Sequence, residues 1–190
     1  MMYMARRLTS YFIKKGLVSE KEREIYEYGF DITLYTILST AGLLLAGLLL
    51  RQLLAAAILV AIFYTCQSNG GGYHASTHLN CFLVMLSGLL AGLALSFFPV
   101  PAPVLYGVGA LSFAALYAVP LVLHPNKQYL EGDRPRLTRR SYLATTALLA
   151  ACLLLIFVLR LPSAPFAAGV ALSAVSRLAA KIIDCRRRAA

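Results

Sequence analysis

From Gln52 to Asn126 the chain carries no Asp, Glu, Lys or Arg. A soluble domain of ordinary composition is about 45–50% apolar. This one is 59% hydrophobic with a mean hydropathy of +0.71, so the class is an integral membrane protein. The apolar runs are rich in Leu and Ala and lack two-residue alternation, which argues against a transmembrane barrel. In lipid every backbone polar group needs an internal partner, and helices are the remaining solution. The four cysteines, Cys66, Cys81, Cys152 and Cys185, form no C-x-x-C pair, and three lie in or beside apolar runs; a disulfide framework is not expected. A secretory signal peptide is not expected either, because Met1 to Asp31 mixes acids with bases and no cleavage-site pattern follows.

Acidic residues are scarce, 8 against 18 Lys and Arg, giving a formal net charge of +10. In a soluble protein that surplus would suggest nucleic acid. Here the bases flank apolar spans, so no nucleic-acid partner is expected, and the surplus reads as a basic surface attractive to anionic lipid or an acidic peptide.

The expected fold is all-α, a polytopic membrane protein of one domain. Residues 1–29 form an amphipathic cytoplasmic preface, 30–183 a six-span bundle and 184–190 a basic cytoplasmic tail. Met1–Lys15 mixes Tyr3, Met4, Leu8, Tyr11 and Phe12 with Arg6, Arg7, Lys14 and Lys15, as an interfacial helix does. Gly16 suits its C-cap, and Ser19 with Glu22 suits a capping box opening the next helix. The spans are predicted at 30–50, 53–66, 79–98, 104–123, 142–159 and 164–183. The second is short of the roughly 20 residues that crossing needs. Either it recruits 67–69, or the Gly70–His74 segment sits below the membrane surface. Arg177 and Lys181 in the sixth are expected to snorkel to a cytoplasmic edge. With both termini in the cytoplasm, every one of the 18 bases except Arg51 and Arg160 falls on the inner side. That orientation puts the loop joining spans two and three on the cytoplasmic face. Gly88-x-x-x-Gly92 allows close helix approach, either within one bundle or in a homodimer.

Against this apolar background stand Gly70-Gly71-Gly72-Tyr73-His74, then His78 and Cys81. Ionisable groups at membrane depth are functional candidates by default. A cysteine attacks as thiolate, and a thiol with a free pKa of ~8.5 needs a base or cation to reach that state near neutrality. Two histidines are available. His78 lies one helical turn from Cys81. His74 lies seven residues away, about 10 Å along a continuous helix, and reaches the sulfur only if the chain folds back. The glycine triplet supplies a hinge for that fold. Spacing leaves the choice open. It also permits zinc, because His74, His78 and Cys81 at i, i+4 and i+7 would share one helical face. Yet a zinc hydrolase usually needs a carboxylate base, and the uncharged stretch has none. A transporter or scaffold whose polar loop lines a path is the non-enzymatic alternative.

Gly71-Gly72-Tyr73-His74-Ala75 followed by Cys81 resembles the accessory gene regulator B family of Gram-positive bacteria. Glu27-Tyr28-Gly29-Phe30-Asp31 is similar to the family's segment before its first span, which usually ends in Glu. Val119-Pro120 and His124-Pro125-Asn126-Lys127 are similar to the segment after its fourth, with Gln128 where proline is common. The resemblance implies a multi-pass cysteine endopeptidase of the cell membrane that processes a quorum-sensing propeptide. Cys81 matches the family's nucleophile and His74 its base. Cleavage would leave a peptidyl thioester on Cys81, captured by a Cys or Ser of the peptide as a thiolactone or lactone. No cofactor or metal is implied. The partner would be a precursor with an amphipathic leader and an acidic C-terminal tail, for which Lys127, Arg134, Arg136, Arg139 and Arg140 form a docking surface. Gly71 and Gly72 support the site, and Asp31, Gln67, Ser76 and Asn80 are candidates to orient His74.

Overall fold

The computed structural model describes residues 2–75, 77–123 and 132–189, and among these the regular structure is entirely helical. The chain divides into two compact units, 1–46 and 47–190.

In the first unit, helix α1 (Met2–Lys14) meets the start of α2 (Arg23–Leu49). Gly16 ends α1 as its position suggested. At φ +71° it lets its own N–H reach Ile13 O and that of Leu17 reach Phe12 O, which satisfies carbonyls the helix leaves open. The capping box is also formed. Ser19 Oγ accepts from Lys21 N, and Ser19 N donates to Glu22 Oε2, opening a single 3-10 turn that leads into α2. Arg23 donates to Ser10 Oγ and pairs with Glu20 and Glu27; the Phe12 and Phe30 rings lie 5.4 Å apart. Ser19→Ala should cost this junction about 0.5–2 kcal/mol. The readout is faster amide exchange at Lys21 and Glu22, and unchanged exchange there would refute the cap.

The second unit is built around α3 (Leu53–Gly70) and α7 (Ser163–Ala189). Helix α5 (Ala102–Ala118) packs on α7, α6 (Asp133–Leu153) on α3, and α4 (His78–Ala94) on both α7 and α3. Ile62, Cys66, Phe113, Leu116, Cys152, Phe166, Val170 and Ala174 form the core. Small residues set the spacing: Gly88 lies against Leu172, and Gly92 against Leu59 and Ala168. The Gly88-x-x-x-Gly92 face is therefore filled from within the chain.

Six apolar helices occupy the six expected positions, and four of them, within Glu20–Leu49, Leu53–Gly70, Asp133–Val158 and Ser163–Arg187, are long and apolar enough to cross a membrane. The short second run recruits Gln67–Gly70, the first of the two solutions considered. Helices α4 and α5 stop at Ala94 and Ala118, short of the expected 98 and 123. Helix α4 tightens into a 3-10 turn over Leu95–Phe97, and a proline ends each helical run. A residue preceding proline is driven out of the helical region. Phe98 before Pro99 is extended (φ −106°, ψ 140°), and Val119 before Pro120 has φ −122°, ψ 75°.

Candidate active site

The glycine triplet ends α3, and each of its members is a point of close approach. Gly70 is the last helical residue, and a Cβ there would run into the Arg177 guanidinium. Gly71 has φ +73° and ψ −177°, a region open essentially to glycine, and its missing Cβ would strike Val122 O. A Cβ on Gly72 would strike the Gln67 side-chain oxygen. Backbone bonds lock this arrangement. Gly71 N donates to Gln67 O at 3.0 Å, and Val122 N donates to Gly70 O at 2.9 Å. The expected hinge is thus a clamped turn.

Residues 71–75 are not helical, so His74 approaches α4 from outside it. Thr77 is the N-cap (φ −128°, ψ 151°), its Oγ1 accepting from Asn80 N at 3.2 Å. His78 is the first helical residue, and Cys81, whose N–H donates to Thr77 O at 3.0 Å, sits at the end of the first turn. Cα–Cβ bonds tilt toward a helix N-terminus, so the Cys81 side chain leans to the end from which His74 arrives. Cys81 is half-buried and in no disulfide, while His74 and His78 are exposed. The break before α4 removes the single helical face shared by His74, His78 and Cys81 on which the zinc alternative rested. Among the described residues no three His, Cys, Asp or Glu side chains gather as metal ligands would.

Helix α7 holds the approach segment. Tyr73 N donates to both the carbonyl and the hydroxyl of Ser176 at 3.1 Å, and Gln67 Nε2 donates to the same hydroxyl at 3.0 Å. Gln67 thus braces the backbone beside His74. The next residue, Arg177, departs from the snorkelling expectation: it is 1% exposed. Its Nη2 donates to Cys66 O at 2.9 Å in α3. Its Nη1 reaches Pro120 O at 3.2 Å, with Leu116 O and Val119 O at 3.4 Å, at the end of α5. Carbonyls at the end of α5 lack helical partners and carry partial negative charge, and the guanidinium fork bridges them to the Cys66 carbonyl in the last turns of α3. Bonding inward replaces bonding to water.

Helix α6 begins at Asp133, ahead of the expected 142, so Arg134, Arg136, Arg139 and Arg140 are exposed on its first turns. Cations at a helix N-terminus oppose its dipole, so helix stability does not account for them. Arg140 Nε donates to Asn69 Oδ1 at 2.9 Å, which ties the cluster to the last turn of α3. An open cleft of about 500 Å³ is lined by Asn69, Arg136, Arg139, Arg140 and Leu143. Arg134 borders a neighbouring groove with Tyr142. Lys127 and Ser76 lie outside the described residues, as do His124, Pro125, Asn126 and Gln128. Asp31 is half-buried on α2 in the first unit, and Asn80 is exposed on α4.

Ser176 and the inward role of Arg177 escaped the sequence reading. The one available signal was a single arginine amid the small residues of α7, which snorkelling also explains. No curated protein and no solved structure matches the chain. The family model of accessory gene regulator B matches residues 5–179, and the chain belongs to that family.

Proposed function

We propose that this membrane protein is a cysteine endopeptidase and cyclase that acts on the peptide precursor of a quorum-sensing system. Family membership gives it a role in the accessory gene regulator system. The observation that supports the finer reading is a half-buried Cys81 in the first turn of α4, with His74 on the clamped, non-helical segment that leads toward the same helix end.

In this reading His74 takes the Cys81 proton, and the thiolate attacks the scissile carbonyl. The oxyanion lies near the N-terminus of α4, where the helix dipole favours negative charge. Collapse expels the tail as an amine, protonated by His74, and leaves a thioester on Cys81. A thiol or hydroxyl within the peptide then attacks the thioester and passes its proton through His74, closing the ring and restoring the Cys81 thiol. A recessed site at a lipid edge keeps water from the acyl group. Membrane lipid and both-termini-inside insertion complete the setting, with six spans crossing the bilayer.

The test is co-expression with the precursor. Processing by membranes should be lost on iodoacetamide treatment and survive chelators. Chelator sensitivity with iodoacetamide resistance would return the zinc hydrolase. The arginines of α6 take the acidic tail of the peptide. Reversal of Arg134, Arg136 and Arg139 to Glu should raise KM about tenfold or more, since charge complementarity governs encounter more than chemistry. Alkylation of Cys81 should be unchanged. Arg140→Glu is measured apart because Arg140 also holds Asn69. Unaltered KM in the triple variant would refute the docking role.

A further inference from the structure

We propose that Ser176, held in register by Arg177, is a positioning residue for the dyad: it fixes the backbone that presents His74 to Cys81. The inference rests on the dyad reading above and adds a third element, α7, to its machinery.

Residues 71–75 lie outside any helix, so beyond the Gly71 N–Gln67 O bond that closes α3, bonds to other elements help set their course. Gly70 and Gly71 are fixed to Val122 and Gln67. The next fixed point is Tyr73 N, immediately before His74, and both of its acceptors belong to Ser176. The Ser176 hydroxyl also receives the Gln67 amide, whose oxygen fills the space beside Gly72. One hydroxyl therefore joins the end of α3, the approach to His74 and α7. Register along α7 is set by the adjacent residue. Arg177 is fastened to carbonyls at the ends of α3 and α5 and fills the space left by Gly70, so α7 cannot slide without breaking those bonds. A base displaced by an ångström transfers protons poorly, and misplacement on that scale costs about 100-fold in rate.

The experiment uses the full chain in detergent and follows Cys81 alkylation by iodoacetamide against pH, with the modified peptide identified by mass spectrometry. Peptide cleavage is measured in parallel. His74→Ala defines the profile without the base. Ser176→Ala should move the alkylation profile toward that of His74→Ala and lower kcat by about 10- to 100-fold with KM within about twofold, as expected for lost orientation rather than lost binding. Ser176→Thr, which keeps the hydroxyl, should restore both. Gly72→Ala pushes the flexible Gln67 amide off the same hydroxyl without altering Ser176. It should act in the same direction and decides the matter if Ser176→Ala does not fold. A wild-type profile and kcat in Ser176→Ala, or in Gly72→Ala where that variant decides, overturns the positioning role and leaves the dyad standing. An unchanged alkylation profile and cleavage rate in His74→Ala overturns the dyad, and the positioning role with it.

Discussion

Cys81→Ala should reduce precursor processing to the level of membranes lacking the protein. Position 81 is a half-buried site in the first turn of α4, and alanine is the best helix former, so the substitution spares the helix and removes only the sulfur. Without a nucleophile neither the acyl-enzyme nor the ring can form. His74→Ala should retain a residual rate, because a thiol still ionises in part without its base. General-base assistance is worth about 10²–10⁴-fold, and a loss in that range is expected. His78→Ala should stay within a fewfold of the parent. Quantifying cyclised peptide and released tail by mass spectrometry separates the cases. Processing that persists in Cys81→Ala would leave the transporter or scaffold alternative. If His78→Ala suffers the large loss and His74→Ala does not, the base belongs to His78, the partner that simple helical spacing also allows.

The helical architecture was legible because long apolar runs in a chain with this charge distribution have few other solutions. Local punctuation was equally readable: Gly16 and the Ser19–Glu22 box act over three or four residues, and both formed. The end of α5 falls short of the expected one because hydropathy continues through Pro120 while backbone geometry does not, and α4 falls short because its last turn, Leu95–Phe97, is 3-10 rather than α-helical. Arg177 departs from the snorkelling expectation for a different reason. An arginine in an apolar run can bond outward to water or inward to helix C-termini, and the choice depends on which helices converge upon it. Its partners, Cys66, Leu116, Val119 and Pro120, are remote in sequence. Ser176 has the same history, since a helical serine has no sequence signature for meeting Tyr73. Local motifs located the reacting residues, and long-range contacts, invisible to motif reading, supply their support.

Gly71→Ala should be the most damaging of the glycine substitutions, and the effect should appear in both stability and turnover. At φ +73° and ψ −177° the backbone is in a region that side-chain-bearing residues avoid, at a strain of about 1–3 kcal/mol. The new methyl would also collide with Val122 O, a backbone atom that cannot swing aside as a side chain can. Val122 N is itself bonded to Gly70 O, so relief by moving that strand of chain would sacrifice a hydrogen bond worth about 0.5–1.5 kcal/mol. The chain can escape only by rotating 71–73, which carries His74 away from α4 and should lower turnover by about 100-fold. Gly29, Gly107 and Gly109 supply the control. A Cβ at any of them meets nothing within 4 Å, and all three lie in helices, so Gly→Ala there should be neutral or stabilise by about 0.4–1 kcal/mol. Thermal unfolding in detergent, paired with the processing assay, reads both effects. A Gly71→Ala protein that melts and turns over like the parent would show that the clamped turn does not set the position of His74.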